Sequence, residues 1–105
     1  MKRSSANSSG AGENYILRLY VSGATALSGR AVINARKIFD AHLKGRYRLE
    51  VLDIADNVAM AMKDQIVAAP TLVKLAPAPL RRFIGDMSNA EKILERLGVR
   101  QRSPS

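Results

Sequence analysis

Few side chains in this sequence could carry chemistry. Cysteine is absent, which removes disulfides, thiolate metal ligands and thiol redox chemistry together. His42 is the single histidine, so a metal site would have to rely on carboxylates and a Ser-His-Asp arrangement on one imidazole. His42 sits near the end of a helical stretch, where an imidazole interacts favourably with the helix dipole, and this explains it better than catalysis. Asp53, Asp56 and Asp64 could be imagined as an acidic metal cluster, but one begins a loop and another suits a helix cap. Ser22 to Gly29 contains glycine without the Gly-Lys-Ser/Thr ending of a phosphate loop. No cofactor, metal or catalytic residue is predicted. Arg81 and Arg82 are adjacent in a strand-like run and must project to opposite faces.

The elements that would position these groups fit one domain, since 105 residues are too few for two separate cores. The formal charge is +8, from 17 basic and 9 acidic side chains. Residues 1–14 and 99–105 are polar, with Ser, Gly and Asn in the first, and are predicted to be disordered tails around a folded unit over 15–98. Lys2, Arg3, Arg100 and Arg102 lie in those tails against Glu13 alone, leaving a moderately basic core. No apolar run approaches the ~20 residues that span a bilayer, and no signal sequence is recognisable, so a cytoplasmic protein without a membrane role is expected. A basic surface suits an acidic partner. Nucleic acid is disfavoured, because aromatics are few and no reading motif is visible.

Tyr15 to Val21 is a β-prone, mostly apolar run that suits a strand covered on both faces. Ala31, Val32, Ala35, Ile38, Phe39 and Leu43 recur at helical spacing, with Ser28 as the expected N-cap and Gly45 as the stop. Tyr47 to Ile54 reads as a second strand, which makes a right-handed βαβ unit. Asp56 or Asn57 would cap a second helix with apolar positions Val58, Ala61, Met62 and Ile66. Ala68 to Leu75 is a strand opened by a proline, and Leu80 to Ile84 returns as a hairpin beyond Pro77 and Pro79. Ser88 to Glu91 forms a capping box ahead of the stripe Ala90, Ile93, Leu94 and Leu97, with Gly98 at the stop. The order βαβαββα predicts an α/β fold of thioredoxin-like type with a mixed four-stranded sheet.

Ala69-Pro70-Thr71-Leu72 resembles the thioredoxin segment in which a cis-proline precedes the third strand; the facing Ser22–Ser28 segment holds no sulfur. Taken whole, Tyr15 to Gly98 resembles the KaiB family. The resemblance rests on Leu19-Tyr20-Val21-Ser22-Gly23, Arg30, Val51-Leu52-Asp53-Ile54, Ala69 to Lys74, and the run from Pro79 to Asn89, where Pro-x-Arg-Arg leads into Gly-Asp-x-Ser. It implies a non-enzymatic regulator that binds a KaiC-type hexameric ATPase in a circadian clock or a related timing or stress response. The partner-binding residues it implies are Arg30, Lys63, Asp64, Gln65, Lys74, Arg81 and Arg82, with Pro70 as the structural cis-proline. It also implies metamorphic behaviour, in which the C-terminal half can adopt an alternative packing, and dimers or tetramers in that state. Two packings coexist only when they differ by a few kcal/mol. Further clock or two-component proteins are the additional partners implied. The alternative is a KaiB-like sensor or interaction module of a two-component pathway, against which the lack of an attached kinase region weighs. The chain departs from the cyanobacterial pattern at Lys63-Asp64-Gln65, Arg96 and Gly98; the last two favour a helical C-terminus.

Overall fold

The computed structural model describes residues 14–23 and 25–99, so the two predicted tails lie outside the described residues apart from Asn14 and Val99. Four strands and three helices follow in the order β1 (Tyr15–Val21), α1 (Ala26–His42), β2 (Tyr47–Asp53), α2 (Val58–Lys63), β3 (Thr71–Ala76), β4 (Arg81–Ile84) and α3 (Ala90–Leu97). A 3-10 turn at Ile54–Asp56 joins β2 to α2. The sheet order is β2-β1-β3-β4. β1 and β2 are parallel, while β1 with β3 and β3 with β4 are antiparallel. This is the predicted mixed, thioredoxin-like arrangement.

Alternation along β1 divides the core into two. Tyr15, Leu17, Leu19 and Val21 pack with Ala31, Ala35, Ile38 and Phe39 of α1 and with Ile93, Leu94 and Leu97 of α3. Tyr20 points the other way and packs with Ala61 and Val73, flanked by Leu52, Ile54 and Ile66 beneath α2. Each fully buried leucine contributes about 1.5–3 kcal/mol, so the larger cluster dominates stability. α2 is the weakly held element: among its own residues only Ala61 is buried, and Val58 and Met62 are 54% and 73% exposed. The expected apolar stripe through Val58 and Met62 is therefore corrected; a six-residue helix turns too little surface toward the sheet to bury it.

Helix starts are displaced from their predicted residues. Thr25, not Ser28, caps α1, and its hydroxyl accepts the Ser28 N–H at 3.1 Å. Ser28 is buried and its Oγ accepts the Ser22 N–H at 3.0 Å, tying the helix to the end of β1. Asn89, not Ser88, caps α3 through the Lys92 N–H. At the other end Gly98 adopts φ 72°, and the Val99 N–H bonds the Leu94 carbonyl at 2.9 Å, which closes the helix as left-handed glycines do. Val99 is only 6% exposed, so the folded unit reaches one residue beyond the predicted boundary. Its apolar side chain continues the α3 stripe past the glycine.

Gly85 links β4 to α3 with φ 141° and gives its N–H to the Pro70 carbonyl at 3.0 Å. A β-carbon there would meet Phe83 at an ordinary 3.6 Å, so the obstacle to a side chain is the backbone angle. Gly85→Ala should lower stability by about 1–3 kcal/mol. Urea denaturation should show a lower midpoint at unchanged slope; an unmoved midpoint would contradict this.

Candidate partner-binding site

Asp64 organises the end of α2. Its Oδ2 accepts the Arg18 guanidinium at 2.9 Å and the Tyr20 hydroxyl at 2.5 Å, and Arg18 also donates to Glu50 at 3.1 Å. The backbone carbonyl of Asp64 accepts Arg82 Nε at 3.1 Å, and Gln65 Oε1 accepts the same guanidinium at 3.4 Å. Glu50, Arg18, Val73 and Arg82 form one row across four strands, which is why Asp64, the C-cap of α2, can engage β1 through its carboxylate and β4 through its backbone carbonyl. Lys63 and Gln65 stay exposed on either side of the buried Asp64. Gln65 takes φ 58°, turning the chain away from the helix.

Burial disfavours the ionised Asp64, yet the hydrogen bonds from Tyr20 and Arg18, with the Arg18 charge, hold its carboxyl below the usual range. Burial, and then the bond to Asp64, push the Tyr20 phenol up to about 12. A folded pKa above the unfolded value of about 10 gives stability that is whole below pH 10 and is lost as pH rises through 12. Ultraviolet titration should show a tyrosine ionising near pH 12 that vanishes in Tyr20→Phe; a variant with the same late titration would refute the assignment.

The remaining predicted residues separate. Arg30 lies on α1, exposed, 3.7 Å from Asp86, whose carbonyl accepts Asn34 Nδ2 at 2.9 Å; α1 thereby holds the segment entering α3. Arg81 is exposed at the start of β4, on the opposite face of the strand from Arg82. Lys74 departs from the surface role expected of it. It is 3% exposed and its Nζ donates to the Pro77 carbonyl at 2.8 Å, because its register with Leu17 turns it to the α1 and α3 side of the sheet. Asp64 is likewise internal, at 8% exposure. Pro70 follows a cis bond, as do Pro77 and Pro79. The network residues Arg18 and Tyr20 were missed from sequence, although an arginine inside a strand read as covered on both faces required a buried counterion.

At the far end of β1 an open depression of about 610 Å³ is lined by Ser22, Gly23, Asp53, Ala55, Val67 and Ala69 among others. Asp53 is already engaged: its two carboxylate oxygens accept the Gly23 N–H at 3.1 Å and the Ala55 N–H at 2.8 Å. Among the described residues no three His, Asp or Glu side chains converge as a metal-ligand set, and no helix is long and apolar enough to cross a membrane.

Sheet, helices and cis-proline define a thioredoxin-fold protein whose thiol position is vacant of sulfur. Solved structures agree on that fold. The N-terminal domain of Synechococcus elongatus SasA superposes with a TM-score of 0.69 at 22% identity, covering 96% of this chain and 99% of that one. Mitochondrial thioredoxin 3 of Saccharomyces cerevisiae gives 0.66 at 15% identity, with 82% and 78% covered. The KaiB domain model matches residues 18–99. Proteins named circadian clock oscillator protein KaiB are similar in sequence: that of Thermosynechococcus vestitus is 46% identical over 82 residues, 78% of this chain and 76% of the relative. That of Synechococcus elongatus is 45% identical over 78% of this chain and 80% of its own length. The chain belongs to the KaiB family.

Proposed function

We infer that this protein is a non-enzymatic clock or timing regulator that docks, in its thioredoxin-like form, on a KaiC-type hexameric ATPase. The observation that carries the reading is the end of α2, where Lys63 and Gln65 stand exposed beside Arg82 on a carbonyl fixed by buried Asp64. The 46% identity to clock oscillator proteins supports the same reading. Contact falls to Arg30, Lys63, Gln65, Arg81 and Arg82. Asp64, Lys74 and Pro70 act from within, as positioning residues. An acidic receptor surface is steered toward such cations, and the on-rate falls as salt rises. The alternative packing of the C-terminal half, with its dimers or tetramers, belongs to the same proposal as the state that does not dock.

Size-exclusion chromatography with the nucleotide-loaded hexamer tests it. The protein should co-elute at low salt and separate progressively as salt increases. Separate elution at low salt, with both proteins folded, would contradict the proposal.

A further inference from the structure

Sulfur enters this chain only as methionine, at four positions and with no cysteine. Three of the four are described, and burial separates them sharply. Met87 is 1% exposed within the main core, Met60 is 36% exposed, and Met62 is 73% exposed on α2. Only Ala61 of that helix is buried, so an oxidant in water reaches the Met62 thioether without any opening of the fold. The Met87 thioether is reached only when the core opens. Met62 also belongs to the docking segment. It directly precedes Lys63, and its carbonyl accepts the Gln65 N–H at 3.0 Å, so the turn that presents Gln65 starts from it. Val58, 54% exposed, lies one turn earlier on the same face. An uncovered Val-Met pair beside exposed Lys63 gives the end of α2 an apolar anchor as well as a charge.

We propose that Met62 is an oxidation site through which peroxide weakens docking at the end of α2. This rests on the docking reading above and adds its regulation. The thioether sulfur attacks hydrogen peroxide with a lone pair; an S–O bond forms, the O–O bond breaks, and water leaves after proton transfer. Sulfur gives up two electrons, the peroxide gains them, and the product is methionine sulfoxide. The free protein tolerates the change, because the side chain faces water before and after it. The complex does not. A thioether is apolar and flexible and can cover a partner's apolar surface, whereas burying the S–O group without a donor leaves a strong acceptor unmatched. Its oxygen carries the negative end of the bond and faces an acidic receptor. The chain has no thiol to reverse the step, so a separate thiol-dependent sulfoxide reductase must do so.

Exposure to hydrogen peroxide, removed with catalase before the hexamer is added, tests the site. Peptide mass mapping should find Met62 oxidised about tenfold or more faster than Met87, with Met60 between them; Met1, outside the described residues, is read from its own peptide. The dissociation constant for the nucleotide-loaded KaiC-type hexamer should rise about tenfold as Met62 is oxidised. Methionine sulfoxide reductases for both epimers should return it to its starting value. Met62→Gln places a polar group there without oxidant and should weaken docking several-fold. In Met62→Leu, whatever its own affinity, peroxide should change the dissociation constant by less than about twofold. Circular dichroism should stay that of the parent throughout. Equal oxidation of Met62 and Met87 would overturn the proposal, because exposure would then not select the site. Unchanged docking with Met62 fully oxidised would overturn it too, as would an undiminished peroxide effect in Met62→Leu or a loss the reductases do not restore. If the untreated protein fails to meet the hexamer, the docking reading falls and the regulatory role falls with it, while the peptide map still decides whether Met62 is the reactive sulfur.

Discussion

Asp64→Ala is expected to destabilise the fold by about 3 kcal/mol, because it leaves the Arg18 guanidinium and the Tyr20 hydroxyl without their shared acceptor. The Arg18 and Asp64 side chains are 19% and 9% exposed, so water replaces little of the lost contact. Arg18 retains Glu50, half exposed at 51%, and this keeps the cost below that of an isolated buried charge. Tyr20→Phe removes one hydrogen bond and leaves the ion pair, so about 1 kcal/mol is expected. Urea denaturation of both variants checks the order; equal losses would show that Arg18 does not depend on Asp64. The same bonds set an acid limit. The folded Asp64 carboxyl ionises below its unfolded value of about 3.9, so its contribution is present above that pH and is lost as pH falls through the lower, folded value. Asp64→Asn should therefore flatten the acid limb of the stability profile.

Lys63→Glu combined with Arg82→Glu should weaken docking on the KaiC-type hexamer by about a hundredfold, since two cations facing an acidic receptor become two repelled anions. The two residues differ in what else they do. Lys63 is exposed and its reversal should leave stability within about 0.5 kcal/mol, acting mainly on the on-rate. Arg82 also bonds the Asp64 carbonyl and Gln65, so its reversal loosens the end of α2 as well. Surface plasmon resonance at two salt concentrations separates the effects: Lys63→Glu should lower the association rate with little change in dissociation, and Arg82→Glu should change both. Unaltered binding by the double variant would remove the end of α2 from the interface.

The elements most legible in the sequence were those with strong periodicity. β1 is a continuous β-prone run, and the stripe of α3 ends at a glycine that does take a left-handed angle. α2 was misread because four apolar residues at helical spacing looked like a buried face, while only Ala61 is covered in so short a helix. The caps slipped because Thr25 and Ser28, one helical turn apart, and Ser88 and Asn89, adjacent, carry side-chain oxygens able to accept the same kind of N–H bond. Lys74 was assigned to the surface by its charge. Only the pairing register with Leu17 turns it inward, and register between distant strands cannot be read from local spacing. The Arg18–Asp64 bond joins residues 46 apart, so its partners could be suspected from an arginine in an apolar strand but not named.

Docking by the thioredoxin-like form is tested most directly by backbone NMR of the labelled protein titrated with nucleotide-loaded KaiC-type hexamer. Helical shifts for residues 90–97 before addition, with the signals of Lys63, Gln65 and Arg82 broadening first as hexamer is added, are the result expected. Extended shifts over residues 90–97 in the free protein, or a spectrum the hexamer leaves unchanged, would contradict the account.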